Sequence, residues 1–291
     1  MTTRDRAQTG RVLRALVRRL RAAGLPTARQ DAELLLAGVL GTTRLALHLH
    51  PERMIEPGQF QALERLVSRR ARHEPLQYLV GEAEFQGLSL AVGPGVFVPR
   101  PETELLVERA LAACPTGSAL ALDLCTGSGA VACALAARRP ALSVWAVELS
   151  TEAAAWARRN VARLGLTDRV WVIEGDLTRP LAGLGLEGRC DLVVGNPPYI
   201  PRRALAGLPV EVREHEPPLA LDGGENGLAV IGRILGEAPV FLRGGGRLVL
   251  EIGHDHGERL RAALAEDPRY GLPVFTRDLL GHERVLDVGV R

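Results

Sequence analysis

The residues with the most specific chemistry are Asn196-Pro197-Pro198-Tyr199. An amide or exocyclic amine has a delocalised nitrogen lone pair. A catalyst acting on that nitrogen needs acceptors that hold both N–H groups and aim it at an electrophilic methyl carbon. Asn196 offers a side-chain carbonyl, Pro197 a backbone carbonyl at fixed φ, and Tyr199 an aromatic face for a planar group. Two successive prolines suit neither a strand nor a helix interior, so the run reads as a rigid turn. It follows the apolar stretch Leu192 to Val194, which puts the turn at a strand's carboxyl end. Taken alone, such a turn can be merely structural.

A second signal, Asp123-Leu124-Cys125-Thr126-Gly127-Ser128-Gly129-Ala130, lies where a strand gives way to a helix. Glycines there let the backbone pass close to a ligand, and open α/β sheets bind ligands at the carboxyl ends of their strands. By itself it is equally a structural turn. Glu148 follows the next strand, about twenty residues on, where an acid can accept hydrogen bonds from both ribose hydroxyls of a nucleoside. Asp176 follows the strand after that and either borders an adenine or caps a helix. Together these signals describe a nucleoside carrying a sulfonium methyl group beside a nitrogen.

These residues must be positioned by their elements. From Leu120 onward, apolar strands (Leu120 to Leu124, Val144 to Val147, Val170 to Ile173, Leu192 to Val194, Leu248 to Ile252) alternate with helical segments, the pattern of a parallel sheet covered on both faces. Val274 to Leu279 and Val285 to Val290 predict an antiparallel edge. Upstream, Leu13, Leu16, Val17 and Leu20 predict a helix stopped at Gly24 and Pro26. Asp31 to Leu40 predicts a second helix, and Gln59 to Arg72 a third. The expected organisation is a helical domain over 1–75, a β-hairpin linker over 76–98 and a catalytic domain over 99–291.

Over 291 residues, 46% hydrophobic and 24% charged residues support two packed domains, and no segment reaches the apolar length of a membrane span. A net charge of +2 is too small for wholesale nucleic-acid binding, although residues 1–80 hold fourteen Arg against seven Asp or Glu. Cys114, Cys125, Cys133 and Cys190 lack CxxC or zinc spacing, which fits a reducing cytoplasm and no metal. His215, His254 and His256 lack HxxxH spacing and read as solvated or capping residues.

The chain resembles the HemK-type, or PrmC, protein-(glutamine-N5) methyltransferases over nearly its whole length. The resemblance runs through Glu74-Pro75-Leu76-Gln77-Tyr78, Pro99-Arg100-Pro101-Glu102-Thr103-Glu104, the Asp123 turn, Asn196 to Ile200, Glu216-Pro217, Gly223-Gly224, Glu251-Ile252-Gly253 and Arg284-Val285. It implies a class I S-adenosylmethionine-dependent methyltransferase fold, Rossmann-like, with a mostly parallel seven-stranded sheet and an antiparallel edge. It implies S-adenosylmethionine as donor, S-adenosylhomocysteine as product, and class I release factors as partners, methylated on the glutamine of their Gly-Gly-Gln loop. The helical domain would help hold that substrate. The expected cofactor residues are Cys125, Thr126, Gly127, Ser128, Gly129, Glu148, Asp176, Leu177 and Asn196. The expected substrate residues are Asn196, Pro197, Pro198 and Tyr199, of which Asn196, Pro197 and Tyr199 carry the catalysis.

Two positions depart from the family: Cys125 stands where Gly is usual and Glu148 where Asp is usual. The approach of a helix N-terminus would favour the Cys125 thiolate, and burial would oppose it. Other readings are glutamine methylation of a ribosomal protein, an adenine or guanine amino methyltransferase acting on nucleic acid, and a non-catalytic nucleotide-binding adaptor.

Overall fold

The structure is a computed structural model that describes residues 8–291. The described chain divides into two compact units, one running up to residue 82 and taking in 209–215, the other of residues 83–208 with 216–291.

In the first unit, α1 (Thr9–Ala22) buries Val12, Leu13, Leu16 and Leu20 on one face, with Arg19 and Arg21 at its negative dipole end. Helix α2 (Ala28–Leu40) stops at Gly41, whose left-handed φ of 59° turns its N–H back onto the last carbonyls. A one-turn helix α3 (Arg44–Leu49) follows. Helix α4 (Pro57–Arg70) opens on a reciprocal cap between Glu56 and Gln59, with Pro57 in the first turn. Leu20, Leu35, Leu36, Leu63 and Val67 form the core of this unit. The stretch expected as a hairpin linker begins instead with a one-turn helix, α5 (Leu76–Val80), closed by Gly81 in the left-handed region. The hairpin β1 (Glu82–Phe85) and β2 (Leu88–Ala91) comes next.

The second unit contains α6 (Thr103–Ala113), β3 (Ala119–Leu124), α7 (Ala130–Arg138), β4 (Leu142–Glu148), α8 (Thr151–Arg163), β5 (Val170–Glu174) and β6 (Cys190–Gly195). The short helix α9 (Val210–His215) belongs to the first unit. Then come α10 (Ala229–Phe241), β7 (Leu242–Glu251), α11 (Gly257–Glu266), β8 (Val274–Arg277) and β9 (Glu283–Gly289). The sheet order is β5-β4-β3-β6-β7-β9-β8, parallel from β5 to β7 and antiparallel across β9. This is the class I methyltransferase arrangement, with β9 the antiparallel strand inserted between β7 and the edge strand β8.

Strand order reverses between β3 and β6, because β3 leads outward to β4 and β5 while β6 returns on its other side. Their carboxyl ends therefore flank a crevice no crossover fills, the usual ligand site of open α/β sheets. The two backbones approach so closely that a Cβ at Gly195 would sit 2.6 Å from the Leu124 carbonyl oxygen, so only glycine fits before Asn196.

Candidate active site

At the end of β3, Cys125 takes a left-handed φ of 61°, a conformation costly for any residue with a side chain. It starts the turn that carries Thr126 to Ser128 across the crevice. Asp123, just before it, is 1% exposed; its carboxylate accepts from the Thr126 hydroxyl and the Ala132 N–H, tying the turn to α7. Burial raises its pKa to about 7, against the pull of those hydrogen bonds.

Glu148, at the end of β4, is held by backbone donors on both oxygens: Gly127 N–H at 2.7 Å and Ser150 N–H at 2.9 Å. Burial raises its pKa and these N–H groups oppose the rise. A carboxylate has about four lone-pair sites, so acceptor capacity remains for a ribose hydroxyl.

At the end of β6, the Asn196 side-chain Nδ2 donates to Thr103 Oγ1 at 3.1 Å. The Tyr199 hydroxyl donates to Glu251 Oε1 at 3.1 Å, and burial, reinforced by that carboxylate, raises the tyrosine pKa. The turn after Tyr199 is stitched to a second segment, with Ile200 N–H on the Leu221 carbonyl at 3.0 Å and Gly223 N–H on the Ile200 carbonyl at 2.9 Å. Arg100 pairs with the buried Glu216 at the start of that segment and stacks on Phe97 at 4.7 Å.

One pocket collects Cys125 to Ser128, Glu148, Asp176, Leu177 and Asn196 to Tyr199, with Phe97, Pro99, Thr103, Leu219 and Leu221 completing its walls. Of the residues expected there, Gly129 is the exception. It caps α7 with a φ of 78° and packs on Ala157, where a Cβ would come within 3.3 Å. Its conformation serves the packing of α7 against α8.

Asp176 is engaged by neighbouring arginines. It lines the pocket, but Arg233 holds its two carboxylate oxygens at 2.9 and 3.1 Å, and Arg179 adds a pair at 3.2 Å. These partners, Arg233 first, keep its pKa low. Its side chain is thus an ion-pair partner at the pocket wall.

For Cys125 the structure decides between the two opposing influences. Helix α7 begins only at Ala130, whereas burial and the charges of Glu148, Asp123 and Asp176 all push the thiol far up. The helix N-terminus loses this contest. Among the histidines, His256 is 1% exposed rather than solvated; it stands at the N-cap position of α11, accepts the Gly253 N–H on Nδ1 and meets the Tyr199 ring edge-on at 6.4 Å. His215 contacts the Arg72 carbonyl and His254 the His282 ring.

Motif chemistry did not identify the roles of Thr103 and Glu251. They lie 93 and 52 residues from their partners Asn196 and Tyr199, so no local spacing reveals the pairing. Their only signal was membership in the Pro-Glu-Thr-Glu and Glu-Ile-Gly runs.

The sequence matches the PrmC N-terminal domain over residues 11–81 and the methyltransferase small domain over residues 90–207. A release factor glutamine methyltransferase of Mycolicibacterium smegmatis is 44% identical over 265 residues, spanning 91% of this chain and 92% of that protein. The human MTRF1L release factor glutamine methyltransferase is 38% identical over 279 residues, spanning 91% and 82%. A methyltransferase structure from Pyrococcus furiosus superposes with a TM-score of 0.52 at 22% identity over 77% of this chain and 98% of that one, which speaks for the fold alone. At these identities and spans, the chain belongs to the release factor glutamine methyltransferase family.

Proposed function

We propose that the chain transfers the methyl group of S-adenosylmethionine to the side-chain amide nitrogen of the Gly-Gly-Gln glutamine of class I release factors, in a reducing cytoplasm. The observation that carries this reading is Asn196, whose Nδ2 is engaged by Thr103 so that its oxygen is left for the pocket. Relatives sharing most of their length with this chain are named for that activity. The residues present suit the donor: Glu148 has acceptor capacity for a ribose, apolar walls flank it, and nearby carboxylates favour a cation. When bound, S-adenosylmethionine supplies an electrophilic methyl on a positively charged sulfur.

The protein's part is orientation and charge. Asn196 Oδ1 and the Pro197 carbonyl accept the two N–H groups of the glutamine amide, aiming its nitrogen and stabilising positive charge as the N–C bond forms and the C–S bond breaks. The Tyr199 ring, tied down through its hydroxyl, backs the planar amide. One N–H proton is lost after transfer. Well-oriented reactants gain roughly 7 to 11 kcal/mol in this way, so no prior deprotonation of the amide is needed.

The test is transfer of labelled methyl to purified release factor, with DNA and ribosomal protein as competing acceptors. Release factor should be labelled on its Gly-Gly-Gln glutamine and the others left unlabelled; labelling of DNA or ribosomal protein instead would overturn the reading. Asn196→Ala should lower kcat about a hundredfold or more, the scale of losing one transition-state hydrogen-bond partner, while donor affinity by calorimetry changes little. Near wild-type turnover would remove Asn196 from its role.

A further inference from the structure

Asn196 is a symmetric fork, and which end faces the pocket decides what the pocket accepts. Its Nδ2 is bound to Thr103 Oγ1 at 3.1 Å. A hydroxyl has a single proton, so once Thr103 Oγ1 accepts from Asn196 that proton must go elsewhere. Glu251 is 2% exposed and its carboxylate is only half used: Oε1 takes the Tyr199 hydroxyl at 3.1 Å, while Oε2 makes no direct hydrogen bond among the described residues. Burial raises the pKa of this carboxyl, and the neighbouring Thr103 and Tyr199 hydroxyls oppose the rise by favouring the ionised form. A carboxylate is acceptor-only, so it imposes one direction on the chain of bonds.

We propose that Glu251 and Thr103 are positioning residues that set the polarity of the Asn196 amide, keeping Oδ1 toward the pocket so that the site selects a substrate presenting N–H groups. The inference rests on the reading of Asn196 as the acceptor of the glutamine amide. Glutamine at 251 would present an NH2 group to Thr103 Oγ1. The Thr103 proton could then turn to Asn196, and the fork would reverse, facing a substrate donor with another donor. Such a mismatch leaves polar groups unpaired, the strongest form of discrimination available to a binding site.

The experiment compares two peptides that differ only at the reacting group: Gly-Gly-Gln and its analogue bearing a γ-methyl ester, which is neutral and has no N–H. Dissociation constants are measured by calorimetry with S-adenosylhomocysteine present, and turnover is measured on the glutamine peptide. Wild type should bind the amide better than the ester. In Glu251→Gln and in Thr103→Val that preference should narrow at least tenfold and kcat should fall at least tenfold, while Thr103→Ser, which keeps the hydroxyl, recovers most of both. Thr103→Val changes no charge and carries the test should Glu251→Gln fail to fold. A slower enzyme whose amide-to-ester preference is unchanged in both variants would mean a merely structural role and overturn the inference alone. A wild type that neither binds nor methylates the glutamine peptide would overturn the underlying reading, and this inference with it.

Discussion

At Cys125 the backbone and the side chain make opposite demands. Its φ of 61° suits glycine, and a side chain there costs about 1 to 3 kcal/mol. Glycine returns about 0.5 to 1 kcal/mol of that through unfolded-state entropy. Cys125→Gly should therefore stabilise the protein by about 1 kcal/mol in urea unfolding, and a clear loss of stability would show that the thiol's packing outweighs the strain. The raised thiol pKa also predicts maleimide labelling at neutral pH at least tenfold slower than for a free thiol, checked by peptide mapping. Asp123 carries a different signature. The folded protein keeps its proton up to about pH 7, whereas the unfolded chain releases it near the ordinary 3.8. Unfolding thus releases a proton in between, and this residue's contribution to stability declines as pH rises from about 4 to 7, by an amount of order a few kcal/mol. Asp123→Asn should flatten that slope in melting temperature against pH; an unchanged slope would assign it to other groups.

At the scale of elements, the first unit is organised around one buried cation. Arg70, the last residue of α4, donates to Asp31 of α2 at 2.7 Å, to Glu211 of α9 at 2.7 Å and to the Glu74 carbonyl at 2.8 Å. Its side chain and that of Asp31 are 4% and 3% exposed, so removing the guanidinium would strand a buried charge. Arg70→Met should destabilise the protein by about 3 to 5 kcal/mol, and adding Asp31→Leu should restore much of it, because a buried pair replaced as a whole costs little. Equal instability of the single and double variants would trace the loss to packing instead.

At the scale of the whole molecule, the chain passes from the Asn196 turn into α9, which belongs with the helical unit, and returns at Glu216. Deleting residues 1–75 removes both Arg70 and Asp31, the anchors of α9 and its neighbours, and so frees one end of the stretch that leads back to Leu219 and Leu221 on the pocket wall. The deletion should lower methylation of a short Gly-Gly-Gln peptide as well as of intact release factor. Full peptide turnover would show that residues 196–221 hold their shape unaided.

What the sequence by itself determined were the features set by near neighbours in the chain. A glycine turn, an acid and a double proline, each directly after an apolar strand, had to meet at one sheet edge once those strands lay parallel, and the structure gathers them in one pocket. Helix ends were legible for the same reason, near Gly24 and at Gly41, where one residue's own geometry stops the helix, whereas the third helix starts at Pro57, ahead of the expected Gln59. Tertiary structure alone decided the partners. Asn196 meets Thr103 across 93 residues, Asp176 meets Arg233 across 57 and Arg70 meets Glu211 across 141. The state of Cys125 was undecided for the same reason, since helix dipole and burial pull its thiol in opposite directions and only the packed surroundings weigh them. Spacing along the chain specifies which strand end a residue occupies, but hydrogen bonding and burial depend on what the fold brings opposite it.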